Sequence, residues 1–247
     1  MSKKAWIIFA VICAGIIAGL VYLSGGNKID VSDVSPTAIQ QPSERNGQIG
    51  DHTFGNMNSK VIMIEYGDYQ CPGCGTAAPV IKQITEKYKD KMGFIFRNFP
   101  LYSAHPNALA ASTTAEAAGK QGKFWEMHDA LYTNQNAWNQ LSSNDRSDYF
   151  VQLASSIGAD GDKIRENFSN TNIRKKIDFD VALGKKAGVS STPSIFINGK
   201  LYSDQRFKDG KLADASDTSS AFVWSDATAF DTLVIKPLLK ENGIATE

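Results

Sequence analysis

Apolar residues are spread very unevenly along this chain. Directly after Lys3 and Lys4, the stretch Ala5–Leu23 (AWIIFAVICAGIIAGLVYL) runs nineteen residues without a charge. As a helix it would reach about 28 Å at about 1.5 Å per residue, close to a bilayer core of about 30 Å. The paired lysines before it put its N-terminus on the cytoplasmic side. A secretory signal has a shorter apolar run of about 7–15 residues, so the segment reads as an uncleaved anchor rather than a signal cut near Ser24-Gly25-Gly26. Cys13 sits mid-segment after Ile12 and reads as a small apolar filler. Residues 1–23 are therefore expected to be a cytoplasmic tip and transmembrane helix, with the rest of the chain extracytoplasmic.

Residues 24–50 have neither a helical nor a strand period and are rich in Ser, Gly, Gln, Asn and Pro, which predicts a flexible tether. The folded domain is expected over 51–247. Lys60–Tyr66 (KVIMIEY) reads as a short strand buried on both faces. A helix should run from Pro72 to about Asp90, and Phe94–Phe99 reads as a second strand. A helical block follows, over about 104–188. Within it Ala108–Lys120 is alanine-rich, while Phe124, His128, Leu131 and Tyr132, and then Ile173, Ile177 and Val181, recur at helical spacing. Pro193–Asn198, Gly199-Lys200 and Leu201-Tyr202 read as strand, tight turn and strand. Residues 203–225 read as a surface loop without a role, and Ala227–Glu241 as a closing helix. The order is that of an α/β domain with a helical insertion.

The 247 residues carry 26 basic and 26 acidic side chains, with 42% apolar and 21% charged residues. This is the composition of an ordinary folded protein. Without Lys3 and Lys4 the balance is 24 basic to 26 acidic, a net of −2, which argues against a nucleic-acid binder. No repeat, basic tail or acidic block is present, so function must come from a site.

The chemistry concentrates at Cys71-Pro72-Gly73-Cys74. Of three cysteines, these two are the only ones past the apolar segment. A bridge across two intervening residues constrains the unfolded chain little, so stabilisation is a poor reason for it. A structural zinc site needs about four ligands, and His52, His105 and His128 are scattered without ligand spacing. Redox chemistry remains. The pair falls between a buried strand and a helix, with Pro72 suited to the first helical turn. Free backbone N–H groups and the positive end of the helix dipole there favour a thiolate. Cys71 then attacks, and Cys74, one turn in and more shielded, resolves the mixed disulfide.

Four segments carry a resemblance: VIMIEYGDYQCPGC, FRNFPLYSAHPNALAAS, GKFWEMHDALY and GVSSTPSIFING. Over about His52–Lys200 the chain resembles the DsbA-like (BdbD-like) extracytoplasmic thiol-disulfide oxidoreductases, a thioredoxin fold with a helical insertion. The resemblance implies that Pro193 is a cis-proline facing the CxxC, leaving the backbone of Thr192 free to pair with an extended substrate segment. It implies that Glu65, six residues before Cys71, lies beneath Cys74 and exchanges its proton through a water. Pro79, eight residues after Cys71, stands where such proteins kink the active-site helix. The resemblance also implies clients that are reduced or unfolded exported proteins, reoxidation by a membrane quinone-linked thiol oxidase, and no bound cofactor. Pro72-Gly73 departs from the histidine-containing dipeptide of the best-known oxidases. Gly73 has no side chain to hydrogen-bond the Cys71 thiolate, so a potential between about −270 and about −120 mV is expected. Phe124, Trp125, Met127, His128, Leu131 and Trp138 read as core, and His52 and His105 as without a role. An isomerase or reductase on the same fold, and a tethered chaperone without catalysis, remain open; a metallochaperone is more distant, lacking further ligands near the pair.

Overall fold

The computed structural model describes residues 29–246 and, ahead of them, Trp6, Phe9, Ile12, Cys13 and Gly15. The anchor expected over Ala5–Leu23 therefore lies almost wholly outside the described residues. Among those described, no helix is long and apolar enough to cross a membrane. Met1–Asp30 and Val31–Glu247 are separate units, and the second carries the sheets and the cysteine pair.

Ile62–Gly67 (β2) is the centre of a five-stranded sheet. It runs parallel to Gly93–Asn98 (β3) and antiparallel to Ser194–Ile197 (β4). His52–Gly55 (β1) pairs antiparallel on the outer side of β3, and Lys200–Leu201 (β5) on the outer side of β4. The two-residue alternation of strands divides the core into two faces. Met63, Glu65 and Gly67 share one face with their cross-strand partners Phe94, Phe96, Ile195 and Ile197. Pro72–Lys87 (α1) covers that face with Cys74, Ala77, Ile81 and Ile84. Ile64, Tyr66, Ile95, Arg97 and Phe196 take the other face.

The predicted helical block is present as Ala108–Gly119 (α2), Phe124–Thr133 (α3), Gln135–Trp138 (α4), Ser143–Ser156 (α5), Gly161–Glu166 (α6) and Thr171–Lys186 (α7). The chain closes with Ala227–Phe230 (α8), a π turn over Asp231–Ile235, and Lys236–Glu241 (α9). Pro237, which has no N–H for the α register, follows that turn. Asp231 accepts from Lys87 Nζ (2.5 Å) and Tyr88 Oη (2.8 Å), tying the closing helix to the end of α1.

Two expectations are corrected. The tether reading fails from Val31 to Gly50, because this segment lies against the second sheet face. Arg97 donates to the carbonyls of Pro36 (2.6 Å) and Ala38 (2.7 Å), and Lys186 Nζ to those of Val31, Ser32 and Val34 (2.7–2.9 Å). Residues 203–225 are not a plain surface loop either. Arg206–Lys208 (β6), Lys211–Ala213 (β7) and Ala221–Phe222 (β8) form a small second sheet. Its anchors are Val223 and Trp224, both buried, with the Trp224 indole N–H donating to the Ser203 carbonyl at 2.8 Å. Strands of two and three residues are too short to leave a period in the sequence. β1, a four-residue edge strand beginning at a histidine, carries no detectable period either.

Candidate active site

Cys71 ends the loop after β2 in an extended conformation (φ −68°, ψ 125°) and caps α1, with Pro72 opening the helix. Proline fits there because the N–H it lacks would have no helical partner. The first turn contains no acidic side chain, so nothing on it competes with a thiolate for the exposed amides. Both cysteines are free thiols. Cys71 keeps only a sliver of exposure, 9%, whereas Cys74 has none.

The surroundings drive the two sulfurs apart. The Cys71 pKa is lowered to about 5, chiefly because the Cys74 thiol hydrogen-bonds its thiolate. Thr192 and the backbone N–H groups of Cys74 and Gly73 add to this, and burial opposes it. Cys74 is pushed well above the ordinary thiol range, first by burial, then by its hydrogen bond to Cys71 and the negative charges of Glu65 and Cys71. In its neutral form Cys71 Sγ donates to the Thr192 carbonyl at 3.4 Å. The Thr192–Pro193 peptide is cis, as the resemblance implied. A Cβ on Gly73 would stand 3.3 Å from Pro193 Cδ, so the cis-proline loop lies directly over the dipeptide.

Glu65 points into the face beneath α1. It is almost wholly buried, and its Oε1 has no hydrogen-bond partner. Burial, followed by the Cys71 charge, raises its pKa to about 8. Arg97, on the opposite sheet face, is the contrasting case. Its guanidinium meets Asp51 at 3.0 and 2.7 Å and also donates to Tyr66 Oη at 2.8 Å. One buried ionisable group is fully paired, and the other has a carboxyl oxygen with no hydrogen bond and a strongly raised pKa, a combination enriched at functional sites.

Three positioning residues escaped the sequence reading. The buried Asp68 carboxylate accepts from the N–H groups of Gln70 (2.7 Å) and Leu101 (2.8 Å) and meets His105 Nδ1 at 2.7 Å, while the Asp68 N–H donates to Cys74 Sγ at 3.5 Å. Gln135 Nε2 donates to the carbonyls of Tyr69 (2.8 Å) and Cys71 (2.9 Å), holding the approach to the pair. His105, given no role from sequence, thus braces the Asp68 turn. Aspartate three residues before the first cysteine was the only available hint; Gln135 lies 64 residues from Cys71 and left none. Phe124, Met127, Leu131 and Trp138 are core, as read. His128 is sealed among aromatic rings, and burial lowers its pKa to about 3, so it stays neutral.

The family model described as Thioredoxin matches residues 48–212, about two-thirds of the sequence. The chain belongs to the thioredoxin family. Among solved structures, alpha-DsbA1 of Wolbachia pipientis superposes with a TM-score of 0.60 at 25% identity, over 78% of this chain and 92% of that one. BdbD of Bacillus subtilis gives 0.59 at 20% identity, over 83% and 97%. The fold is therefore DsbA-like within the thioredoxin family, and its neighbours are thiol-disulfide oxidoreductase-like. A curated relative, Na(+)/H(+) antiporter NhaA 1 of Salinispora arenicola, is 36% identical over 152 residues. That match takes in 62% of this chain but only 22% of the relative, so the antiporter name describes a much longer protein.

Proposed function

We propose that this protein is a membrane-tethered, extracytoplasmic thiol-disulfide oxidoreductase that donates its Cys71–Cys74 disulfide to exported proteins. The observation that carries the reading is the contrast between the sulfurs: one acidic thiol at a helix mouth, and one buried thiol held neutral by burial, by its bond to Cys71 and by the Glu65 charge.

In the oxidising direction a client thiolate attacks Cys71 of the oxidised pair and the Cys71–Cys74 bond breaks. Cys74, a poor leaving group at its raised pKa, departs as it takes the proton of Glu65. A second client thiolate then attacks the client's own sulfur in the mixed disulfide. Cys71 leaves readily as a thiolate, the client gains a disulfide, and the pair retains the two electrons. The carbonyl of Thr192, ahead of Pro193, is positioned to receive an extended client backbone beside Cys71. No cofactor enters this cycle, and a membrane quinone-linked oxidase would remove the electrons.

The direction rests on the Cys71 thiolate. A value near 5 falls between about 7 for thioredoxin and about 3.5 for DsbA, which points to a moderately oxidising pair. Lys3, Lys4 and the uncharged Ala5–Leu23 support the anchor and its orientation. The occurrence of a related domain within a chain named for Na(+)/H(+) antiport supports a membrane setting.

The test is disulfide formation in a reduced, unfolded client. The oxidised protein is expected to transfer one disulfide per pair, and Cys71→Ser none. Activity of Cys71→Ser equal to the parent would favour a chaperone, and an equilibrium with glutathione near about −270 mV would favour a reductase.

A further inference from the structure

After each turnover Glu65 must recover the proton it gave to Cys74, yet it is buried and Oε1 has no partner. A second orphan lies on the same face. The hydroxyl of Tyr132, from α3, is buried and also lacks a hydrogen-bond partner, whereas Tyr66, Tyr69 and Tyr88 engage Arg97, His128 and Asp231. Tyr132 Oη sits over Gly67, where a Cβ would come within 3.0 Å of it. Gly67 is two residues beyond Glu65, so its missing side chain would point to the face that the Glu65 carboxyl occupies. Tyr132 also lines, with Gly75, Pro79 and Thr133, a solvent-connected cavity of about 180 Å³ beside α1.

From this juxtaposition we infer that Tyr132 is the positioning residue through which Glu65 exchanges its proton with solvent. The inference rests on the proposed function and deepens it. When Glu65 has protonated the departing Cys74 sulfur, a proton passes from cavity water to the Tyr132 hydroxyl and on, through a bridging water, to the carboxylate, since Tyr132 Oη and Glu65 Oε1 do not bond each other directly. Tyr132 ends unchanged and no electrons move. The other titratable groups around the route are Cys71 ahead of α1 and Cys74 on it, Lys82 of α1 and Asp129 of α3 paired at the cavity (2.6 Å), Asp68 and Tyr69 of the preceding loop with His105 behind Asp68, and His128 of α3. Tyr69 and His128 are bonded to each other, and Asp68 to His105 and two backbone amides. Tyr132 alone among them offers Glu65 an uncommitted hydroxyl.

The experiment uses the reduced protein and an aromatic disulfide that releases a coloured thiol. The first release reports attack by Cys71, and the second reports deprotonation and attack by Cys74, the same proton path run backwards. Tyr132→Phe is expected to leave the first release and the thermal midpoint unchanged, since no hydrogen bond is lost. It should slow the second release by about tenfold or more, within the range of general acid–base catalysis. The pH inflection of the second release, set by Glu65, should keep its position, because no hydrogen bond to the carboxyl is lost. Glu65→Gln should abolish that inflection, and adding Tyr132→Phe to it should cost nothing further. In the parent, the solvent-isotope dependence of the second release should show more than one proton in flight. A second release as fast as the parent's, equal slowing of both releases, additive losses in the double variant, or a single-proton isotope dependence would each overturn the relay. Failure of the first release itself would instead overturn the proposed function.

Discussion

A thiol with a pKa near 5 and a carboxyl with one near 8 lie within electrostatic reach of one another. Each is displaced past neutrality by its surroundings, the thiol downward and the carboxyl upward. Cys71 gains from donors: the Cys74 thiol, Thr192 and the first amides of α1. Glu65 has none and bears the full penalty of burial. The consequence for stability has a definite sign. Folded Glu65 holds its proton up to about pH 8, while in the unfolded chain it lets go near 4.5. Its contribution is full below pH 4.5 and is lost as pH rises through 8. Glu65→Gln should therefore raise the urea midpoint relative to the parent more above pH 8 than below pH 4.5. A difference independent of pH would show that Glu65 does not change protonation on folding.

At the scale of elements, the strands and helices that carry the chemistry could be read from the sequence. β2, α1, β3, the helical insertion and β4 announce themselves through solid apolar runs, helical spacing and a proline at the first turn. Cys71 and Cys74 follow because they sit between β2 and α1, whereas Glu65, Thr192 and Pro193 are reached only through the family resemblance. What could not be read depends on pairs far apart in the chain. Arg97 with Asp51, His105 with Asp68, and Gln135 with the carbonyls of Tyr69 and Cys71 are each joined only by folding. Gln135 belongs to a four-residue helix with no period to detect. Gln135→Ala would take from the Tyr69 carbonyl its side-chain donor and leave the Cys71 carbonyl with the Gly75 N–H alone, at about 1–3 kcal/mol. A lowered thermal midpoint and a slower Cys71 reaction are expected; an unchanged midpoint would mean water replaces the amide.

Across the whole molecule, the central sheet carries opposite demands on its two faces. The α1 face holds Glu65, whose Oε1 has no hydrogen-bond partner, while the far face holds a closed ion network of Arg97, Asp51, Lys176 and Asp180 that fastens the segment from Val31 onward. Arg97→Met would strip the Asp51 carboxylate of its bidentate partner and release two carbonyls of that segment. A loss of about 3–5 kcal/mol, read as a lower urea midpoint, is expected with the Cys71 thiolate untouched. No loss would mean that the segment is a free tether after all. The proposed client oxidation depends in turn on one ionisation at the opposite face. Ultraviolet titration of thiolate absorbance in the reduced protein measures it directly. One thiolate should appear near pH 5 and vanish in Cys71→Ser, with Cys74 silent until far higher pH. A single step near the ordinary thiol value, or a step near pH 5 that survives Cys71→Ser, would contradict a Cys71 nucleophile held as its anion.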